Sequence, residues 1–167
     1  MRLFAFGLIL IANTLCTAQV LTPAKWNYST SAQTVKVGDE IDLIFNATID
    51  NNWYLYSSEF NCEDGPIKTT FSFTPDASYQ LVGSLRAINP IDKHDKIFEC
   101  DVKIFKKTAE FRQRVKVLSK NLKITGEFEY QVCTELTGQC VPGNGEFVFD
   151  KIQITGSEKI EQRTTGS

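Results

Sequence analysis

Two cysteines near the carboxyl end of the chain, Cys133 and Cys140, bracket the segment 134–139 and end two extended arms. Phe128, Tyr130 and Val132 alternate up to the first cysteine, and a second extended run leads away from Cys140. Arms of this kind pair as a hairpin, and Gly138 is free to take a positive backbone angle in the loop. Facing residues at a non-hydrogen-bonded position of an antiparallel pair lie about 4.5 Å apart, within reach of a disulfide. The chemistry on offer is thiol–disulfide exchange, because a short, exposed disulfide at the tip of a rigid hairpin is open to attack by a partner's thiolate. The plainer reading is a clip on the loop, contributing roughly 2–3 kcal/mol in the chain-entropy model.

Whether these thiols pair depends on compartment. Residues 1–18 carry one positive charge, Arg2, then an apolar run, then small residues ending Cys16, Thr17 and Ala18. This pattern predicts a secretory signal peptide cleaved after Ala18. Its apolar core is too short for a bilayer, and no later stretch reaches the ~20 apolar residues of a membrane helix, so no span is expected in the mature chain. Leu15 stands before Cys16 where a lipoprotein signal needs a small residue. Export to the periplasm or beyond places the chain where thiols oxidise. Of the five cysteines, Cys16 falls in the leader, leaving Cys62, Cys100, Cys133 and Cys140. Four cysteines admit three pairings, which sequence alone does not choose among. A domain of roughly 150 residues buries about two-thirds of its unfolded surface without cross-links, which leaves room for a pair that serves chemistry.

Lys and Arg total 18 against 20 Asp and Glu, for a net charge of −2, and the only basic cluster is Lys106 with Lys107. Nucleic acid and anionic lipid are therefore poor partner classes. The cysteines lack the C-x₂₋₄-C spacing of structural zinc sites, and neither a metal nor a cofactor is expected.

The elements that must position the cysteines read as strands. Ile41, Leu43, Phe45, Ala47 and Ile49 fall on one face of a period-two run, which Asp50, Asn51 and Asn52 end as a turn. Further strands are expected over 53–60, near 69–73, and over 81–88, 100–105 and 109–117. The charged stretch 89–96, with Pro90, reads as a loop. Within it, His94 with Asp92 and Asp95 is either a solvated surface group or an aid to proton transfer. Apolar parity shifts between Phe149 and Ile152, predicting a bulge. No stretch has a convincing helical period with caps, and turn signals recur every 8–12 residues or so, which predicts a two-sheet sandwich. One domain, 19–155, is expected, followed by a polar, disordered tail over 156–167.

Several segments together carry a resemblance. They are Trp53-Tyr54-Leu55-Tyr56, Gly65-Pro66-Ile67 leading to Thr69-Thr70-Phe71, residues 91–98 before Val102-Lys103-Ile104-Phe105, and Tyr130-Gln131-Val132-Cys133 with Cys140-Val141-Pro142. In these the chain resembles the amino-terminal, immunoglobulin-like periplasmic domain of the bacterial thiol:disulfide interchange protein DsbD. The resemblance implies an all-β, immunoglobulin-like antiparallel sandwich in which Cys133 and Cys140 form a redox pair. Electrons would pass from a membrane electron-donor protein to periplasmic thioredoxin-like proteins through transient mixed disulfides, with Cys140 the attacking sulfur. It also implies a cap loop over 92–99, which contains Asp95, with Phe98 over the disulfide and Tyr54 and Tyr56 lining the site.

The chain departs from the family pattern in its six-residue spacing between the cysteines, and in Gly143, where a second proline commonly follows Pro142. Neither a membrane segment nor a thioredoxin-like domain is expected in the mature chain, so the donor is expected to be a separate protein. Cys62 and Cys100 lie outside the family pattern. They can pair with each other, remain buried thiols, or resolve a mixed disulfide. The competing function is a non-catalytic immunoglobulin-like binding module with structural disulfides.

Overall fold

The computed structural model describes residues 21–155, so the leader expected over 1–18 and the tail expected over 156–167 lie outside the described residues. Within that span every regular element is a strand. In chain order they are β1 (Ala24–Thr30), β2 (Thr34–Lys36), β3 (Glu40–Ile49), β4 (Tyr54–Tyr56), β5 (Thr70–Phe73) and β6 (Tyr79–Ala87). There follow β7 (Ile91–Asp95), β8 (Cys100–Lys106), β9 (Thr108–Val117), β10 (Ile124–Cys133), β11 (Cys140–Phe149) and β12 (Gln153–Thr155).

Two antiparallel sheets form the sandwich. One has the order β1-β3-β9-β6; the other runs β11-β10-β4-β8-β7, with β5 also paired to β10. The expected face of β3 is the buried one: Ile41, Leu43, Phe45, Ala47 and Ile49 all point into the core. Across the gap they meet an aromatic layer. Phe45 lies 4.2 Å from Phe71 and 4.9 Å from Phe147, and Trp26 lies 4.8 Å from Phe128, centroid to centroid. Burying each such ring stabilises the fold by about 1.5–3 kcal/mol. On the opposite face of the same strand Asp42 is nearly buried too, because Arg114 and Arg86 reach it at 2.9 and 3.2 Å from β9 and β6.

Two sequence expectations need correction. The stretch 89–96 is not a loop: Ile91–Asp95 is strand β7, paired antiparallel with β8 from Ile91↔Ile104 to Asp95↔Cys100. It is the edge of its sheet, where charged side chains are common because they discourage pairing with another chain. Polarity there therefore signals an edge and not a break. The parity shift after Phe149 is not a bulge. The chain leaves its sheet there, and β12 forms a separate, parallel pair with β2. The irregular register lies instead between β6 and β9, at Val82/Arg86.

Candidate redox site

The β10–β11 hairpin sets the site. Its register runs unbroken from Ile124↔Phe149 to Cys133↔Cys140, so the two cysteines are the last facing pair before the loop. The loop closes through Thr134 N–H to Gln139 O (3.0 Å) and Gly138 N–H to Thr134 O (3.0 Å), with Gly138 at φ +70°. Cys133 and Cys140 are joined by a disulfide, Cα–Cα 4.1 Å, the close approach of a non-hydrogen-bonded pair. Cys133 is wholly buried and Cys140 half-buried, while Leu136 at the loop apex is 73% exposed. Pro142, which lacks an N–H, is accommodated because β11 is the other edge of the sheet. Gly143 faces Tyr130, and a Cβ there would come 2.3 Å from the Tyr130 ring, which explains why a proline does not follow Pro142.

Beside Cys133 lies β4, where Tyr54 is its direct cross-strand partner. Tyr54, Tyr56, Val102, Ile104 and Cys133 form a small apolar cluster, separate from the sandwich core, against which Phe60, Phe98, Cys62, Cys100 and Cys140 pack. Phe98 sits in the 96–99 turn joining β7 to β8 and meets Tyr56 edge-on at 6.1 Å. Cys62 and Cys100 are joined by a disulfide, Cα–Cα 6.0 Å, which links the segment after β4 to the first residue of β8.

A wholly buried carboxylate holds this arrangement together. Asp95 Oδ2 accepts hydrogen bonds from Tyr56 OH (2.7 Å), Tyr54 OH (3.0 Å) and Lys93 Nζ (3.1 Å). Its Oδ1 accepts from the Ile97 and Phe98 backbone N–H groups at 2.8 and 3.3 Å. Burial alone would push this carboxyl up, but the bonds from Tyr56, Ile97, Lys93 and Tyr54 together hold it below its ordinary 3.8. Burial pushes the Tyr56 and Tyr54 phenols up from 10.0, so both remain neutral donors.

Asp95, Phe98, Tyr54 and Tyr56 are thus gathered with both disulfides. His94 and Asp92 are not. They lie on the other side of β7, where His94 pairs with Asp101 (2.8 Å) and Asp92 with Lys103 (3.4 Å) at the surface. Among the described residues no group of three or more His, Cys, Asp and Glu side chains is placed to hold a metal.

Two residues went unread in the sequence. Lys93 bonds Asp95 and also reaches Glu135 in the cysteine loop at 3.1 Å, with its ammonium 4.7 Å above the Tyr54 ring. Gln131 accepts the Ile67 N–H at 2.7 Å, which turns its amide nitrogen toward Cys133 Sγ at 3.7 Å. Period two supplied a signal for both: Lys93 is two residues from Asp95, and Gln131 two from Cys133. Two open cavities are lined in part by these residues. One of about 540 Å³ is lined by Trp53, Tyr54, Lys106, Glu135 and Leu136, and one of about 490 Å³ by Phe60, Lys93 and Val102 among others.

These features define an immunoglobulin-like sandwich that carries a disulfide at the loop of an edge hairpin. Residues 18–151 match the family described as thiol:disulfide interchange protein DsbD, N-terminal. The chain belongs to that family, and is a thiol–disulfide interchange domain. Among solved structures it is similar to the N-terminal periplasmic domain of ScsB from Proteus mirabilis (TM-score 0.56, 11% identity), over 78% of this chain and 47% of that one. The N-terminal domain of Neisseria meningitidis DsbD in the reduced form overlaps 68% of this chain and 79% of its own, at TM-score 0.49 and 19% identity. The chain spans about half the length of the ScsB chain. No curated protein sequence matches significantly. Among the described residues no helix is long and apolar enough to cross a membrane.

Proposed function

We propose that this periplasmic domain passes electrons from a membrane electron-donor protein to thioredoxin-like periplasmic proteins through the Cys133/Cys140 pair. The supporting observation is the asymmetry of that pair, partly exposed Cys140 against wholly buried Cys133. In the dithiol form, the Cys140 thiolate attacks a partner's disulfide and forms a mixed disulfide. Cys133 then attacks Cys140 Sγ, which closes the pair and releases the partner as a dithiol; two electrons and two protons have moved. Recharging reverses the order: a donor thiolate attacks Cys140 and Cys133 leaves as the thiolate, then the donor's second thiolate attacks the donor sulfur of the mixed disulfide and releases Cys140, leaving the donor oxidised.

The β7–β8 hairpin acts as the cap. Phe98 shields the pair, Tyr54 and Tyr56 line it, and Asp95 fixes the cap turn. Exposed Leu136 and Ile97 (73% and 38%) offer a docking partner apolar contact on the cysteine loop and on the cap. The test is a redox titration of the mature protein with glutathione or dithiothreitol, together with trapping by a Cys133→Ser variant. The expected outcome is a potential above about −300 mV and a stable mixed disulfide through Cys140. A potential far below that value with nothing trapped makes the bond a clip and the domain a binding module.

A further inference from the structure

The Cys62–Cys100 disulfide takes no part in the exchange just described, yet it sits against the same small cluster as Cys133 and Cys140. We propose that it is a second thiol-reducible site, with a dithiol as its substrate, and that its reduction releases the cap and opens Cys133–Cys140 to partners. The inference rests on the reading of Cys133–Cys140 as the exchanging pair, and it adds a control on that pair.

The position of the bond carries the argument. Cys100 faces Asp95 as the last register pair of the β7–β8 hairpin, so the disulfide grips the base of the 96–99 turn that holds Phe98. Strand β7 is a sheet edge, so β8 alone holds it through backbone pairing. Apart from that ladder and the packing of Phe98, two devices fix the turn. One is the Asp95 carboxylate, which accepts the Ile97 and Phe98 N–H groups; the other is the bond to Cys62. Cys62 is itself anchored, lying two residues from Phe60, which packs 6.1 Å from Tyr56. Gly65 lets the chain wrap its sulfur closely, since a Cβ there would lie 2.3 Å from Cys62 Sγ. Covalently, then, the cap is tied to a fixed point, and without the tie only polar contacts and Phe98 packing hold it down.

Accessibility sets the order of events. Cys62 and Cys100 are both partly exposed, so either sulfur of the outer bond is open to attack, whereas in the inner pair Cys133 is wholly buried and only Cys140 is partly exposed. None of the four cysteines belongs to the main sandwich core, so opening the outer bond loosens the cap without dissolving the fold. In the exchange, one thiolate of the dithiol attacks a sulfur of Cys62–Cys100, breaks that bond and forms a mixed disulfide. The dithiol's second sulfur then displaces the remaining cysteine. The products are two cysteine thiols and an oxidised dithiol, after transfer of two electrons and two protons.

The mature chain is treated with dithiothreitol, quenched with an alkylating reagent at timed points, and each pair is followed by peptide mass spectrometry. A Cys62→Ala/Cys100→Ala variant is followed in parallel. In the parent, Cys62–Cys100 is expected to open first. In the variant, Cys133–Cys140 is expected to open about tenfold faster than in the parent, as for a tenfold larger population of open cap. An unchanged rate in the variant overturns the proposal. So does a parent in which Cys133–Cys140 opens as fast before the outer bond is cut as after it. If the variant does not fold, the parent time course decides alone. Should Cys133–Cys140 exchange normally but indifferently to the outer pair, the control fails and the exchange function stands. Should it exchange in neither protein, both fall.

Discussion

Phe45 and Asp95 are both wholly buried, but in regions built on opposite terms. Phe45 lies in the sandwich core among Phe71, Phe147 and Phe149, where the contacts are ring against ring and one resembles the next. Asp95 lies beside the disulfide cluster, where each acceptor site is matched to a named donor on β4, on β7 or in the cap turn. The core gains stability from area. The cluster gains geometry, because a buried charge is tolerated only while its partners stay in place. A region of the second kind can change state locally while the first remains intact, as the cap proposed over Cys133–Cys140 requires.

The largest effect should come from breaking the core. Phe45→Ala is expected to cost about 3–5 kcal/mol of global stability in urea unfolding of the oxidised protein. Under native conditions the rate at which dithiothreitol reduces Cys133–Cys140 should be unchanged. A rate that rises with the loss of stability would mean that core and cluster open together.

Next comes Asp95→Asn, expected to cost about 2 kcal/mol through weakened bonds to a formerly charged acceptor. The loss should be local, seen as faster hydrogen exchange at Ile97 and Phe98, whose N–H groups Asp95 accepts. The pH dependence has a definite sign. The Asp95 carboxyl is held below 3.8 in the fold, so its contribution is complete above the ordinary carboxylate range and is lost as pH falls through the folded value. The Tyr54 and Tyr56 phenols are pushed above 10.0, so their contribution is complete below that value and fades as pH rises past it. Exchange protection at Ile97, corrected for intrinsic rates, should therefore be flat from about pH 5 to 9 and fall on either side. A step near neutrality would require another titrating group.

The two regions were also unequally legible in the sequence. Strand β3 was readable because one face is buried and the other is not, so its alternation survives in the residue types. The cysteine hairpin was readable because an unbroken register carries the pairing to the loop. By contrast, β7 was hidden: as a charged edge strand it has the composition of a loop. The role of Asp95 as an anchor was out of reach, since Tyr54 and Tyr56 lie 41 and 39 residues away and only the folded sheet brings them together. Resemblance supplied the names of these residues as a site, but not the bonds that join them.

Phe98→Ala tests the cap with a smaller perturbation. The side chain is half-buried, so about 1 kcal/mol of stability is expected to be lost. Reduction of Cys133–Cys140 by a small thiol should nevertheless quicken several-fold. An unchanged rate would show that the hairpin turn, and not this ring, shields the pair.

The smallest effect concerns the bridge from cap to cysteine loop. Lys93 Nζ stands 3.1 Å from both Asp95 and Glu135, but Glu135 is 57% exposed, and water screens that half of the bridge. A double-mutant cycle of Lys93→Ala with Glu135→Ala should give a coupling of about 0.2–1 kcal/mol, falling with added salt. The same cycle between Lys93→Ala and Asp95→Asn should give a larger and less salt-sensitive coupling, because Asp95 is buried. Should the Glu135 coupling prove the larger, the cap would be held mainly from the cysteine loop, and partner contacts at Leu136 would act directly on its opening.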